Sequence, residues 1–263
     1  MNSDNPYQPP TTTVEVVKNN SDDVWAFVEP QKVSIGRGIV WLGEGFRFFG
    51  RNAGIWIAIT IIYLIILMLS SFVPFATNIL QPMLAGGLML GVHDQDNGEP
   101  LQVQHLFEGF NKYAGPLATL GALILGLMIL YFIVVMVFVL IGVGVTAATE
   151  QYGDISVVII ITMLVIGAPI MIAVTFIFMS VSWFGPPLVA LHGLSVGEAF
   201  KMSLLGLKRN ILPILVFTFF MMILFILSVF TLYIGLLVVI PVLMAASYAS
   251  WKDVFTRANE QLV

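Results

Sequence analysis

The sequence predicts an all-α integral membrane protein with six transmembrane helices, paired as three helical hairpins that are each preceded by a short amphipathic interfacial helix. Three observations predict it. Four long stretches, 54–92, 113–149, 155–197 and 211–251, contain no Asp, Glu, Lys or Arg, and each exceeds the roughly 20 apolar residues that cross a bilayer core. All eleven Lys and Arg residues fall outside those stretches. A short motif recurs before each expected pair of spans: GEGF at 43–46, FEGF at 107–110 and GEAF at 197–200. The composition agrees: 59% of residues are hydrophobic and 10% charged, against about 25% charged in an ordinary soluble domain.

Residues 1–30 are rich in Asn, Ser, Asp, Thr and Pro and read as a disordered cytoplasmic tail, because they offer too little apolar surface to offset the entropy of ordering. They lack the basic and apolar regions of a signal peptide, so the first span is expected to direct insertion. The membrane domain covers 31–257, and 258–263 form a short C-terminal cytoplasmic tail. Ile35, Ile39, Leu42, Phe46 and Phe49 follow helical spacing, with Arg37, Glu44, Arg47 and Arg51 elsewhere on the circumference. Ser70, Ser71, Pro74, Asn78, Gln81 and Pro82 interrupt the first uncharged stretch, giving spans at about 54–73 and 77–92.

Val103, Leu106, Phe110 and Tyr113 form a second, shorter amphipathic pattern before a span at about 115–143. The next span runs from about 155 to 184, kinked at Gly167 and Pro169, with Pro186 and Pro187 marking its end or a further kink. Val196, Phe200, Leu204 and Leu207 form the third amphipathic helix, and Ser195 and Glu198 have the spacing of a capping box. Two spans at about 211–229 and 232–251 complete the set. A proline falls in the second helix of each pair (Pro82, Pro187 and Pro241), followed by small residues. The middle unit is the longest.

Charge sets the expected orientation. Lys18, Lys32, Arg37, Arg47 and Arg51 precede the first span, Lys201, Lys208 and Arg209 precede the fifth, and Lys252 and Arg257 follow the last. Placing these clusters in the cytoplasm requires an even number of spans between them. The outer loops then hold no Lys or Arg, only Glu150 and Asp154, and Lys112 falls in the 93–112 cytoplasmic loop.

Several stretches (GRGIVWLGEGFRFFGRNAGIWI at 36–57, LMLGVHDQDNGEPLQVQHLFEGF at 88–110, LKRNILPILVF at 207–217, ASYASWKDVF at 246–255) resemble a family of uncharacterised multi-span bacterial inner-membrane proteins. The NPYQPP start is similar to the tails of many small bacterial membrane proteins. The resemblance implies an inner (plasma) membrane location and a six-helix body; it brings no activity with it.

Function classes narrow by exclusion. No basic run could track a phosphate backbone, so nucleic acid is not an expected partner. With no cysteine there is no disulfide, thiolate or Cys-based metal site. Ser-His-Asp, phosphate-loop and HExxH patterns are absent, so no catalytic residue and no cofactor are assigned. In the turn His93-Asp94-Gln95-Asp96-Asn97-Gly98-Glu99, Gly98 stands where a calcium loop needs an oxygen donor, so no metal ligand is assigned either. His93 and His192 lie at the cytoplasmic ends of second helices and read as interfacial histidines. No charged residue lies inside a span, which counts against ion-coupled transport.

The expected role is therefore non-enzymatic: organising membrane lipids or partner membrane proteins through the cytoplasmic-face helices. Arg47, Arg51, Lys201, Lys208 and Arg209 would meet anionic headgroups, and Phe46, Phe110, Phe200, Trp56, Trp183 and Trp251 would anchor at the interface. Gly87 with Gly91, and Ala245 with Ala249, have the small-xxx-small spacing of close helix packing within the bundle. The alternative is a permease or uncoupled facilitator for a neutral or lipid-like substrate. The sequence sets no oligomeric state.

Overall fold

The computed structural model describes residues 25–152, 161 and 163–258. Most of the expected N-terminal tail, Lys18, Asp154, Thr162 and the last five residues lie outside the described residues. Nine α-helices and one two-stranded sheet are present among them. Strand β1 (Trp25–Phe27) leads into α1 (Arg37–Arg51), α2 (Ala53–Ser70), α3 (Ala76–Asp96), the single-turn α4 (His105–Glu108) and the long α5 (Ala114–Tyr152). A π-helical turn (Met163–Gly167) opens α6 (Ala168–His192); α7 (Val196–Arg209), α8 (Ile211–Phe230), α9 (Leu236–Phe255) and β2 (Thr256–Ala258) follow. Five of these, α2, α5, α6, α8 and α9, are long and apolar enough to cross a membrane. Helix α3 is not among them, because its two ends carry Thr77, Asn78, Gln81, His93, Asp94, Gln95 and Asp96.

The helices pack in a pattern that repeats three times. Helices α3, α6 and α9 contact one another and form the inner group. Helix α2 packs on α3 and α9, and α5 packs on α6 and α3. Helix α8 packs on α9 and meets α6 through the Trp183 and Phe217 rings, 5.3 Å apart. Each motif-bearing helix lies on an inner helix that precedes it in cyclic order: α4 on α3, α7 on α6, and α1 on α9, which closes the cycle.

Burial divides the bundle lengthwise. Trp41, Phe48, Trp56, Phe184, Tyr248 and Phe255 are fully enclosed near α1 and α7. The opposite ends of the long helices expose a collar of large apolar side chains, including Phe72, Phe132, Leu140, Ile172, Phe230 and Leu232.

The first and last described segments are joined. Strand β1 pairs antiparallel with β2, with Phe27 opposite Thr256 and Ala26 opposite Arg257. Beyond it the chain stays strapped down. Val28 N–H donates to Phe255 O (2.8 Å), and Gln31 N–H to Val254 O (2.7 Å). Buried Asn210, in the break between α7 and α8, accepts from Val33 N–H (2.8 Å) and donates to Gln31 O (2.8 Å). Residues 25–30 are thus ordered, where composition predicted a tail; hydrogen bonds to the far end of the chain supply what local apolar content lacks.

The second amphipathic segment, expected to be the shorter one, is a single helical turn. One further expectation changes. Helix α6 continues through Pro186 and Pro187 to His192. Pro187 cannot donate to the carbonyl of Trp183, and Ser247 of α9 takes the vacant place, its hydroxyl 3.4 Å from that oxygen.

Candidate functional site

Helix α1 has three faces, as its periodicity dictates. Gly38, Trp41, Gly45 and Phe48 form a buried strip. The glycines are required there: a Cβ on Gly45 would stand 2.5 Å from Val242 O, and one on Gly38 would collide with Pro213 O. A second strip, Ile39 and Phe46, is exposed, and Ile35 extends it in the turn before the helix. The third carries Glu44, Arg47 and Arg51, with Arg37 at its edge against α9.

Where α1 meets the end of α9, charged groups line a cleft of about 420 Å³. Its walls include Arg37, Glu44, Arg47, Lys252, Asp253 and Arg257, with Phe48 and Tyr248 at the base. Arg37 grips Asp253 with two donors, Nε to Oδ2 and Nη2 to Oδ1, each at 2.5 Å, a bidentate geometry. Trp41 Nε1–H donates to the same carboxylate (2.6 Å). Arg47 Nε bonds Glu44 (2.7 Å), and Arg257 Nη2 donates to Gln31 Oε1 (2.9 Å). Lys252 pairs with Asp96, which also accepts from Tyr248 Oη (3.1 Å); His93 Nδ1 lies 3.2 Å from that hydroxyl.

The α4–α3 contact repeats this plan. A Cβ on Gly109 would collide with Met83 O, the residue after Pro82, as Gly45 faces the residue after Pro241. His105 occupies the place of Trp41, three residues before the motif glutamate, and its Nε2 lies 3.5 Å from Asp94 Oδ2 and 3.7 Å from Glu108 Oε1. Asp94 and Asp253 each stand twelve residues beyond their proline. That spacing was the readable signal for the site, and a reading confined to the motif and the prolines misses it.

Asp94, His105 and Glu108 bring three ligand-type atoms within 4.8 Å of one another. The histidine tautomer opposes metal binding. Gln102 N–H donates to His105 Nδ1 (3.1 Å), which puts the ring proton on Nε2 and removes the lone pair a cation would need. The ring N–H faces both carboxylates from the edge of hydrogen-bond reach or beyond it.

In the third contact, Ser195 and Glu198 form a full capping box on α7. The Ser195 hydroxyl, followed by its backbone N–H, holds the Glu198 carboxyl below its ordinary range.

The other residues read from sequence fall as follows. Arg51 donates to Gln95 O (3.2 Å) and lies over the Phe48 ring; Arg47 lies over the same ring from 5.1 Å. Lys201 and Lys208 are exposed on α7, away from the cleft, and Arg209 is tied to Pro30 O. Phe46 is exposed, whereas Phe110 and Phe200 pack against the core. Trp56 and Trp251 are enclosed by protein instead of facing headgroups, and half-buried Trp183 donates to Ser250 Oγ (2.9 Å). The correction has a physical cause: large rings pack on one another here, with Tyr248 5.4 Å from Trp251 and 5.8 Å from Phe48. Gly87 and Gly91 admit α4, and Ala245 and Ala249 are buried. His93 and His192 are separated by the Tyr248 and Trp251 rings.

Compared with protein-family models, curated proteins and solved structures, the chain matches none.

Proposed function

We propose that this is a six-span, non-enzymatic protein of the bacterial inner membrane, with both termini cytoplasmic, that organises lipids or partner membrane proteins through its cytoplasmic face. The observation that carries the reading is α1 itself: an exposed apolar strip beside a charged one, on a helix fixed to the bundle by its glycines. That is the arrangement of a helix lying in the headgroup plane.

The β1–β2 pairing supports the span count. Paired termini lie on one side of a membrane, so the number of crossings is even, and the five apolar helices need a sixth. Helix α3 supplies it, its middle section screened from lipid by burial among α2, α5, α6 and α9. The chain has no cysteine, so single cysteines are clean topology probes. Residues introduced at Ser71 and Leu232 are expected to react with an impermeant thiol reagent from the periplasm, and one at Gly98 only after lysis. Periplasmic labelling at Gly98 sinks the six-span arrangement. Anionic-lipid enrichment around the purified protein tests the role: replacing Arg47, Arg51, Lys201, Lys208 and Arg209 by Gln is expected to abolish it.

A second reading, an uncoupled facilitator for a neutral or lipid-like substrate, draws support from an apolar recess of about 330 Å³ lined by Met128, Tyr131, Thr175 and Phe178. Stabilisation of the purified protein by such a substrate would favour it.

A further inference from the structure

We infer that the α1–α9 cleft is a discrete binding site for one phosphodiester lipid headgroup, a site that presupposes the membrane-interface reading above. The bland explanation of its cations is structural: they neutralise Asp253 and Glu44 and so hold α1 on α9. The molecule contains its own control. The α4–α3 contact keeps the glycine, the proline, the ring N–H and both carboxylates, yet the four positions corresponding to Arg37, Arg47, Lys252 and Arg257 are Leu101, Asn111, His93 and Gly98. A contact of this plan therefore forms without any of the four cations. Their gathering around one cleft calls for a ligand.

The chemistry of that ligand follows from the charges. Among the described residues, four cations face three carboxylates, Glu44, Asp253 and the Asp96 bound to Lys252, a balance of one positive charge in the cleft. A singly charged phosphodiester balances it, and guanidinium groups suit its paired oxygens. Among those residues Arg257 bonds the neutral Gln31 side chain and no carboxylate. A lipid is favoured over a free phosphate because the exposed Ile39 and Phe46 on the same helix, with Ile35 in the turn before it, offer acyl chains a surface beside the headgroup.

Native mass spectrometry of the detergent-purified protein, titrated with phosphatidylglycerol and phosphatidylcholine, tests the site. Wild type is expected to take one phosphatidylglycerol at lipid concentrations about tenfold lower than phosphatidylcholine, and the Arg47→Gln/Arg257→Gln variant to lose that preference. Lys112→Gln, an exposed lysine outside the cleft and outside the headgroup-contact set, is expected to retain it. Arg257→Gln alone serves if the double variant does not fold. Unchanged preference in the cleft variant overturns the site. Equal losses in the cleft and Lys112 variants also overturn it, while leaving diffuse headgroup binding by the whole face intact. Competition by glycerol phosphate as effective as by the lipid overturns the lipid assignment. A wild-type protein that does not discriminate between the lipids overturns both this site and the broader reading.

Discussion

In the α1–α9 contact, Gly45 lets one helix rest on the carbonyl after Pro241 while the Trp41 ring N–H reaches Asp253; in the α4–α3 contact, Gly109 rests on the carbonyl after Pro82 while His105 reaches Asp94. The backbone parts of the plan are common to both, and the charges around them differ. Asp253 is held by a bidentate arginine, whereas Asp94 has a histidine N–H at 3.5 Å. The difference teaches that steric fit builds this kind of contact, and that the ionic groups are free to serve another purpose.

The largest effects are expected where the two contacts agree. Gly109→Ala and Gly45→Ala each force a methyl into a backbone carbonyl that cannot move aside, and each is expected to cost about 3 kcal/mol or more. Thermal unfolding in detergent would read the loss, and a mild effect at either position would break the claim of a shared steric plan. Next come the aspartates. Asp253→Asn weakens a bidentate, part-exposed pair and is expected to cost about 1–2 kcal/mol, whereas Asp94→Asn is expected to cost less than about 0.5 kcal/mol. Equal losses would mean that charge matters as much in the α4–α3 contact as in its counterpart.

The third motif helix sharpens the comparison with a smaller effect. Ser195→Ala removes the cap of α7 and is expected to cost about 1 kcal/mol. The Glu198 carboxyl is held below its ordinary value of 4.5, so its share of the cap is present above that value and lost as pH falls through the lower folded one. Unfolding curves of wild type and variant should therefore converge in acid. A constant gap down to pH 3 would assign the cap to the serine hydroxyl alone.

Much of the helical frame was legible because charge is so costly in hydrocarbon that its absence marks helix limits closely. The expected 54–73 and 211–229 segments appear as Ala53–Ser70 and Ile211–Phe230. The three motifs also pointed to equivalent places, since each of the three helices they mark packs on an inner helix. What escaped the sequence is whatever depends on a distant partner. Trp56 reads like an interfacial indole and is instead enclosed, donating to Phe48 O (3.2 Å). Pro186 and Pro187 read as a helix end or a further kink because the Ser247 hydroxyl that accommodates the freed carbonyl comes from another helix. Composition alone could not reveal that residues 25–27 find a strand partner at the opposite terminus.

The closure of α1 on α9 also sets a timetable for synthesis. Asp253, the partner of Trp41, is encoded 212 residues later. At about 5–20 residues per second, the first helix leaves the ribosome roughly 10–40 s before the surface that will cover Trp41 and Phe48 exists. Through that interval the nascent chain holds an unpaired, glycine-notched aromatic strip at the membrane surface, where insertion factors or misfolding have their opening. Release of the last helix ends the wait, and truncation anywhere before α9 would leave it permanent.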